Sequence, residues 1–246
     1  MNLPGVYPIF NKIWKNCQTC YIISDTHFDD PDLIHVYTDR PTAEQQVKLI
    51  NSKVGKMDAL IHLGDVGNVN YIRQLKGAMK ILICGNHDVG ISNYQKHIWT
   101  KKFNKCEYQK HEALDEMKRI YPDCSYTITD RFDFSSCLGY WEIYADNCLF
   151  DLVFTGPVLI GEKLILSHEP VEGLDWCMNV HGHTHDRNIV NDTYHFNVCA
   201  DVINYTPINF NKWMKEGHLA KVKSLHRQTI DEATDRRCRR GYKLGG

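Results

Sequence analysis

Nine side chains carry the chemistry legible in this sequence, in five short blocks: Asp25 and His27; Asp65; Asn86, His87 and Asp88; His168; and His183 and His185. Carboxylate, amide oxygen and imidazole together suit borderline divalent ions such as Mn2+, Fe2+, Zn2+ or Ni2+. No clustered thiolates accompany them, which argues against a structural zinc site. Asp25 and His27 are separated by one residue, as are His183 and His185. On a regular strand such a pair stands about 7 Å apart, so both members reach one ion only where the chain leaves regular structure. Gly182, just before the second pair, permits a tight backbone path there. Two ions about 3.5–4 Å apart need a shared anionic ligand, and Asp65 is the candidate.

The elements that must position these groups are short apolar runs of strand length. Thr19–Ile23 leads into the first block, Ala59–Leu63 into Gly64-Asp65, Lys80–Cys84 into Gly85-Asn86-His87-Asp88, Lys163–Leu166 into Ser167-His168, and Met178–Val180 into His181-Gly182-His183-Thr184-His185. Alternation of such runs with amphipathic stretches is the pattern of an α/β protein with buried strands. Thr42 to Val54 reads as a helix with Thr42 as N-cap and Val47, Ile50 and Val54 on one face. A shorter helix is expected over Asn68 to Leu75. Residues 104 to 150 break the rhythm with a polar helical segment near Tyr108 to Ile120 and an aromatic, cysteine-containing stretch. They read as an insertion or lid that should emerge near the ligand blocks and help select the substrate. Pro207 is expected to stop the last strand, with a helix beginning near Asn209. The division is thus one domain over residues 1–220 and a basic tail over 221–246.

The ordered blocks Asp25-x-His27, Gly64-Asp65, Gly85-Asn86-His87-Asp88, Ser167-His168 and Gly182-His183-x-His185 resemble the signature of the calcineurin-like metallophosphoesterase family, over residues 25 to 185. The segments TAEQQVKLIN and NVCADVINYTPI resemble its small bacterial and phage branch. The resemblance implies a four-layer fold, two facing mixed β-sheets flanked by helices. It implies one metal held by Asp25, His27, Asp65 and His185 and a second by Asp65, Asn86, His168 and His183, with Mn2+ favoured. His87 would be the catalytic histidine beside the leaving group, and Asp88 would orient its imidazole. The activity implied is hydrolysis of a phosphodiester, a nucleotide or other small-molecule ester, by metal-activated hydroxide. Many relatives continue the second block with a further Asp and a phosphate-gripping Arg, where this chain reads Val66-Gly67-Asn68. A phosphomonoesterase acting on a metabolite or phosphoprotein is the rival enzyme, and a catalytically silent metal-binding interaction module is the alternative of another class. The second is disfavoured, because His87 and every position matched to a ligand carry competent residues.

The bulk composition narrows the partners. A formal net charge of -1 over 246 residues gives no global reason to bind nucleic acid or an anionic membrane. A nuclease remains open but is not favoured, since the basic excess lies in the tail. No run approaches the ~20 apolar residues of a membrane span, and the chain reads as cytoplasmic, with ten cysteines as reduced thiols. His62 reads as a hydrogen-bonded core residue and His181 as structural or supporting a ligand. His35, His97, His111, His195, His218 and His226 read as surface or packing residues. Cys17-x-x-Cys20 lacks the second pair that a zinc knuckle needs. Tyr94, Trp99, Tyr140 and Trp141 could stack on a base, though aromatics more often pack in a core.

Overall fold

A computed structural model of the chain describes residues 19–36, 39–185 and 194–239. In chain order the strands and helices are β1 (Cys20–Ile23), α1 (Pro31–Val36), α2 (Ala43–Lys53), β2 (Ala59–His62), β3 (Met79–Ile83), β4 (Ile98–Asn104), α3 (Lys110–Ile120), β5 (Ser125–Asp133), β6 (Leu138–Asp146), β7 (Leu152–Phe154), β8 (Val158–Ile160), β9 (Leu164–Leu166), β10 (Met178–His181), β11 (His195–Asn197), β12 (Ile208–Asn209), α4 (Phe210–Lys215) and α5 (Leu225–Arg239). Among the described residues no helix is long and apolar enough to cross a membrane.

Two mixed sheets carry the core. The first has the order β12-β1-β2-β3-β7, with β1, β2, β3 and β7 parallel and β12 antiparallel at its edge. The second has the order β11-β10-β9-β8, with only β8 antiparallel. Side chains alternate across a strand, and the continuously apolar strands use both faces. Ile22, Ile61, Ile81 and Ile83 face Val158, Leu164, Leu166 and Val180 of the second sheet, so the two sheets pack face to face. Their neighbours Ile23, Leu60 and Leu82 point the other way, onto Val47, Ile50 and Val54. Full burial of each such side chain contributes about 1.5–3 kcal/mol.

The helix that supplies this outer layer begins where the sequence indicates. Thr42 caps α2 by accepting from the Gln45 N–H at 3.3 Å, while Gln45 accepts from the Thr42 N–H at 2.9 Å. Residues Val69–Gln74 form the expected short helix as a single 3-10 segment capped by Asn68. Asn209 caps α4. The last strand differs from expectation: Ile208–Asn209 follows Pro207 instead of ending at it. The missing N–H of a proline costs nothing just ahead of a two-residue edge strand.

The segment expected over 104–150 is larger and differently placed. It starts at Ile98 and forms a three-stranded antiparallel sheet, β4-β6-β5, against which α3 packs. Phe103, Ala113, Met117, Ile143 and Ala145 give it a core of its own. Its two ends are pinned together, His97 N–H donating to Asn147 Oδ1 at 3.0 Å and Asn147 N–H to the His97 carbonyl at 3.2 Å. Its root lies level with Lys80, whose N–H donates to Asp151 Oδ2 at 2.7 Å and whose ammonium donates to the Ile72 carbonyl at 2.9 Å and to that of Cys148. Lys80 lies roughly 10 Å upstream of the end of β3, whereas the ligand blocks follow strand ends. The module therefore does not root at the ligand face as expected. It is carried by the opposite end of the sheet, because Asp151 must fall back to the start of β3 for β7 to pair in parallel.

The aromatics named in the sequence serve packing here: Tyr94 is buried and Trp99 stacks on Tyr121 at 4.8 Å. Cys84, Cys106, Cys124, Cys137, Cys148, Cys177, Cys199 and Cys238 form no disulfide. Cys17 lies outside the described residues, as does the side chain of His35. The described part of the basic tail is mainly α5, where Arg227 and Arg236 pair with Asp231 and Glu232.

Candidate metal centre

All five blocks sit at strand ends and meet at one edge of the sandwich. The chain after β11 joins the sheets there: Val198 N–H donates to the His181 carbonyl at 2.8 Å, and Ser24 N–H donates to the Val198 carbonyl at 3.0 Å. Convergence then depends on unusual backbone. Asp25 (φ 57°), His27 (38°), Asp65 (55°), His183 (68°) and His185 (48°) all occupy the left-handed region, which costs a non-glycine residue about 1–3 kcal/mol. Two glycines allow the close approach of the segments. A Cβ on Gly182 would lie 2.2 Å from Asp25 Oδ2, and one on Gly85 would lie 2.2 Å from Asp65 Oδ1.

The side chains form two groups around Asp65. In one, ligand atoms of Asp25, His27 and His185 lie within 4.8 Å of one another; in the other, those of Asp65, His168 and His183 do. Asp65 Oδ2 reaches both, at 3.5 Å from His27 Nε2 and 3.2 Å from His168 Nε2. Asn86 Oδ1 completes the second group, 3.0 Å from His168 Nε2, which is also 3.1 Å from His183 Nδ1. His168 Nδ1 is engaged by the Leu63 carbonyl at 2.8 Å, so in the neutral ring the proton sits there and Nε2 presents a lone pair. Four lone-pair atoms converging at a half-buried site favour a cation between them. His27 Nε2 is buried without a hydrogen-bond partner. The donor set therefore fits two divalent ions.

The titration behaviour reflects the same convergence. Burial works against a charged His168 ring, yet its hydrogen bond to Asp65 and the charges of Asp25 and Asp65 lift its pKa to about 9. Burial likewise opposes charge on His27, while the carboxylates of Asp65 and Asp30 raise it. For Asp65 burial favours the neutral acid, but the His168 and His27 rings beside it hold it well below the usual carboxylate range.

Several supporting residues were not anticipated from the sequence. His27 Nδ1 meets Asp30 Oδ2 at 2.8 Å and His185 Nδ1 meets Asp201 Oδ2 at 2.6 Å, contacts that set ring orientation and raise ligand basicity. Asp201 is held in turn by Tyr205 and by Arg40, whose Nη1 donates at 3.2 Å. Arg40 Nη2 donates to the carbonyls of Asp25 and Thr26 at 2.8 and 2.7 Å. Cys199 Sγ donates to Asp25 Oδ2 at 3.1 Å, and burial and the Asp25 charge push its thiol pKa up. His62 is a core residue as read: it is fully buried, with Nε2 2.9 Å from Thr26 Oγ1, and burial pushes it down to about 4. His181 is buried on β10 with Nδ1 on the Gly182 carbonyl.

His87 is exposed, its ring 5.4 Å from that of His27, with its N–H donating to Asp65 Oδ1 at 2.9 Å. Asp88 departs from its expected role. Its carboxylate accepts from the N–H groups of Asp65 (2.8 Å), Gly85 (2.8 Å) and Val66 (3.0 Å), so it shapes the Asp65 loop instead of orienting His87. Three converging amides bind a carboxylate more strongly than one exposed ring can. Asn68 caps the 3-10 segment.

No family model and no curated protein matches this chain. Among solved structures it is similar to the protein of unknown function AQ665 from Aquifex aeolicus, with 20% identity and a TM-score of 0.48 over 80% of this chain and 98% of the other.

Proposed function

We propose that this chain is a dinuclear metal-dependent phosphohydrolase of the calcineurin-like metallophosphoesterase type, cleaving a phosphodiester. The observation that carries the reading is the position of Asp65 Oδ2 between His27 Nε2 and His168 Nε2, each the centre of its own ligand group. Asp25, His27 and His185 would hold one ion, Asn86, His168 and His183 the other, and Asp65 both. When bound, such a pair supplies Lewis-acid charge to a phosphate ester and makes water nucleophilic near neutral pH. His87, exposed beside His27, offers its imidazole proton to the departing alkoxide. Asp88 holds the backbone of Asp65 and so the alignment of the shared carboxylate. A diester fits better than a monoester dianion. Arg40 commits its guanidinium to Asp201 and two backbone carbonyls, and among the described residues no Lys or Arg contacts a ligand side chain.

Turnover of bis-p-nitrophenyl phosphate and p-nitrophenyl phosphate by the Mn2+-reconstituted chain tests the reading, with two metals per chain and faster diester cleavage expected. Asp65→Asn keeps the shape and removes the charge, so metal content and rate should collapse together. Wild-type turnover in that variant, or none in a chain that holds both metals, overturns the proposal.

A further inference from the structure

A cleft of about 520 Å³ opens directly beside the second ligand group. Asn86 and His168 form its inner end. Its walls are the β7–β8 turn, with Thr155 and Pro157, and the loop after β9, with Glu169, Pro170 and Glu172. An ester whose phosphorus lies beside Asn86 and His168 can place one of its organic groups in this cleft. The lining thus bears on substrate class, which no feature of the ligand set decides.

Two properties of the lining are selective. The first is charge: Glu169 and Glu172 are exposed, and among the described residues neither has an ion-pair partner. Among the described residues no Lys or Arg lines the cleft. Two uncompensated carboxylates repel a second phosphate or a nucleic-acid backbone and attract a cation. The second is an apolar, non-aromatic wall. Among the described residues no Phe, Tyr or Trp lines the cleft, although base recognition without pairing rests on aromatic platforms. Pro157, Pro170, Val171 and Ile83 instead give it small aliphatic walls suited to methylene and methyl groups.

From this geometry we infer that the cleft binds an aliphatic ammonium group of the substrate, so that the ester cleaved is a phosphodiester of an amino alcohol, with Glu169 and Glu172 as the residues that select it. The inference rests on the phosphodiesterase reading and narrows it, away from nucleotides. The phosphate goes to the metal centre, and the cationic end, a few bonds away, lies between the two carboxylates.

Matched chromogenic diesters separate the two levels. The Mn2+-loaded full chain is assayed on p-nitrophenyl phosphorylcholine, on its neutral isostere p-nitrophenyl 3,3-dimethylbutyl phosphate, and on thymidine 5′-p-nitrophenyl phosphate. The choline ester should exceed the isostere in kcat/KM by roughly three- to tenfold, the range for two solvent-screened charge pairs, with the difference in KM. The double variant Glu169→Gln, Glu172→Gln should bring that ratio close to one with metal content unchanged. Saturation-transfer NMR with choline, against 3,3-dimethylbutanol, reads the same preference without turnover. A ratio at or below one, a ratio untouched by the double variant, or preference for the thymidine ester overturns the inference while leaving the phosphodiesterase reading intact. Absence of turnover on every ester with both metals bound overturns that reading itself.

Discussion

With its N–H on Asp65 and its ring against His27, His87 sits beside the proposed metal centre without being one of its proposed ligands. His87→Ala should therefore keep both metals and lose rate. An alkoxide leaving group needs a proton in the transition state, so its release should fall by ~10²-fold or more. A p-nitrophenolate is stable as the anion and should suffer less, and steady-state rates on alkyl and p-nitrophenyl diesters measure the difference. Asp88→Asn should act differently, lowering metal affinity through the Asp65 loop, because an amide binds the three backbone N–H groups less tightly than a carboxylate. The residues that the fold brings together were legible from the sequence because their types and spacing are chemically restrictive. The partner of Asp88 was not, since a carboxylate adjacent to a histidine is as free to turn to backbone amides as to the ring. Asp30 and Asp201 were hidden for a similar reason: only the fold brings them to the far side of His27 and His185.

Between elements, one buried guanidinium fastens the start of α2 to the site. The side chain of Arg40 is only 3% exposed and ties Asp201 to the backbone of Asp25 and Thr26. Arg40→Gln should weaken metal binding by about 10–100-fold, the usual effect of removing an outer partner of a ligand, as read by chelator competition. The other buried cation, Lys80, couples β3 to the root of the β4-β6-β5 module. Burial lowers its pKa to about 8 from an ordinary value of 10.5. The unfolded chain then binds the proton more tightly, so the charged form penalises the fold. That penalty is complete below pH 8 and disappears as pH rises to 10.5, a change of about 3 kcal/mol in favour of the folded state. Denaturant titrations across this range should show the wild type gaining on Lys80→Met, in which the penalty is absent. The apolar runs announced β1, β2 and β3 and the capping pair announced α2, since each is a local signal. The faces of β3, a strand apolar on both sides, could not be told from periodicity, because both are buried.

Across the whole molecule the module is a closed excursion from a two-sheet core. Its buried residues belong to a cluster separate from the other two, and its ends are paired at His97 and Asn147. Replacing residues 98–146 by a short turn should leave two metals per chain by elemental analysis and leave relative rates across a diester panel unchanged. The sequence indicated that something interrupts the strand rhythm and placed its helix. It did not indicate where the interruption attaches, because the pairing of Asp151 with Lys80 links positions 71 residues apart.

The left-handed backbone at Asp25, His27, Asp65, His183 and His185 has a consequence for how such a chain changes under selection. Glycine tolerates that conformation with little strain, and His183 is exposed, so its side chain adds little packing. His183→Gly should stabilise the metal-free protein by up to about 1 kcal/mol, readable in Tm, and should lose the second ion. A lineage under pressure for stability alone would drift toward glycine at such positions. The histidine and aspartate side chains there carry a strain that the proposed metal centre would offset.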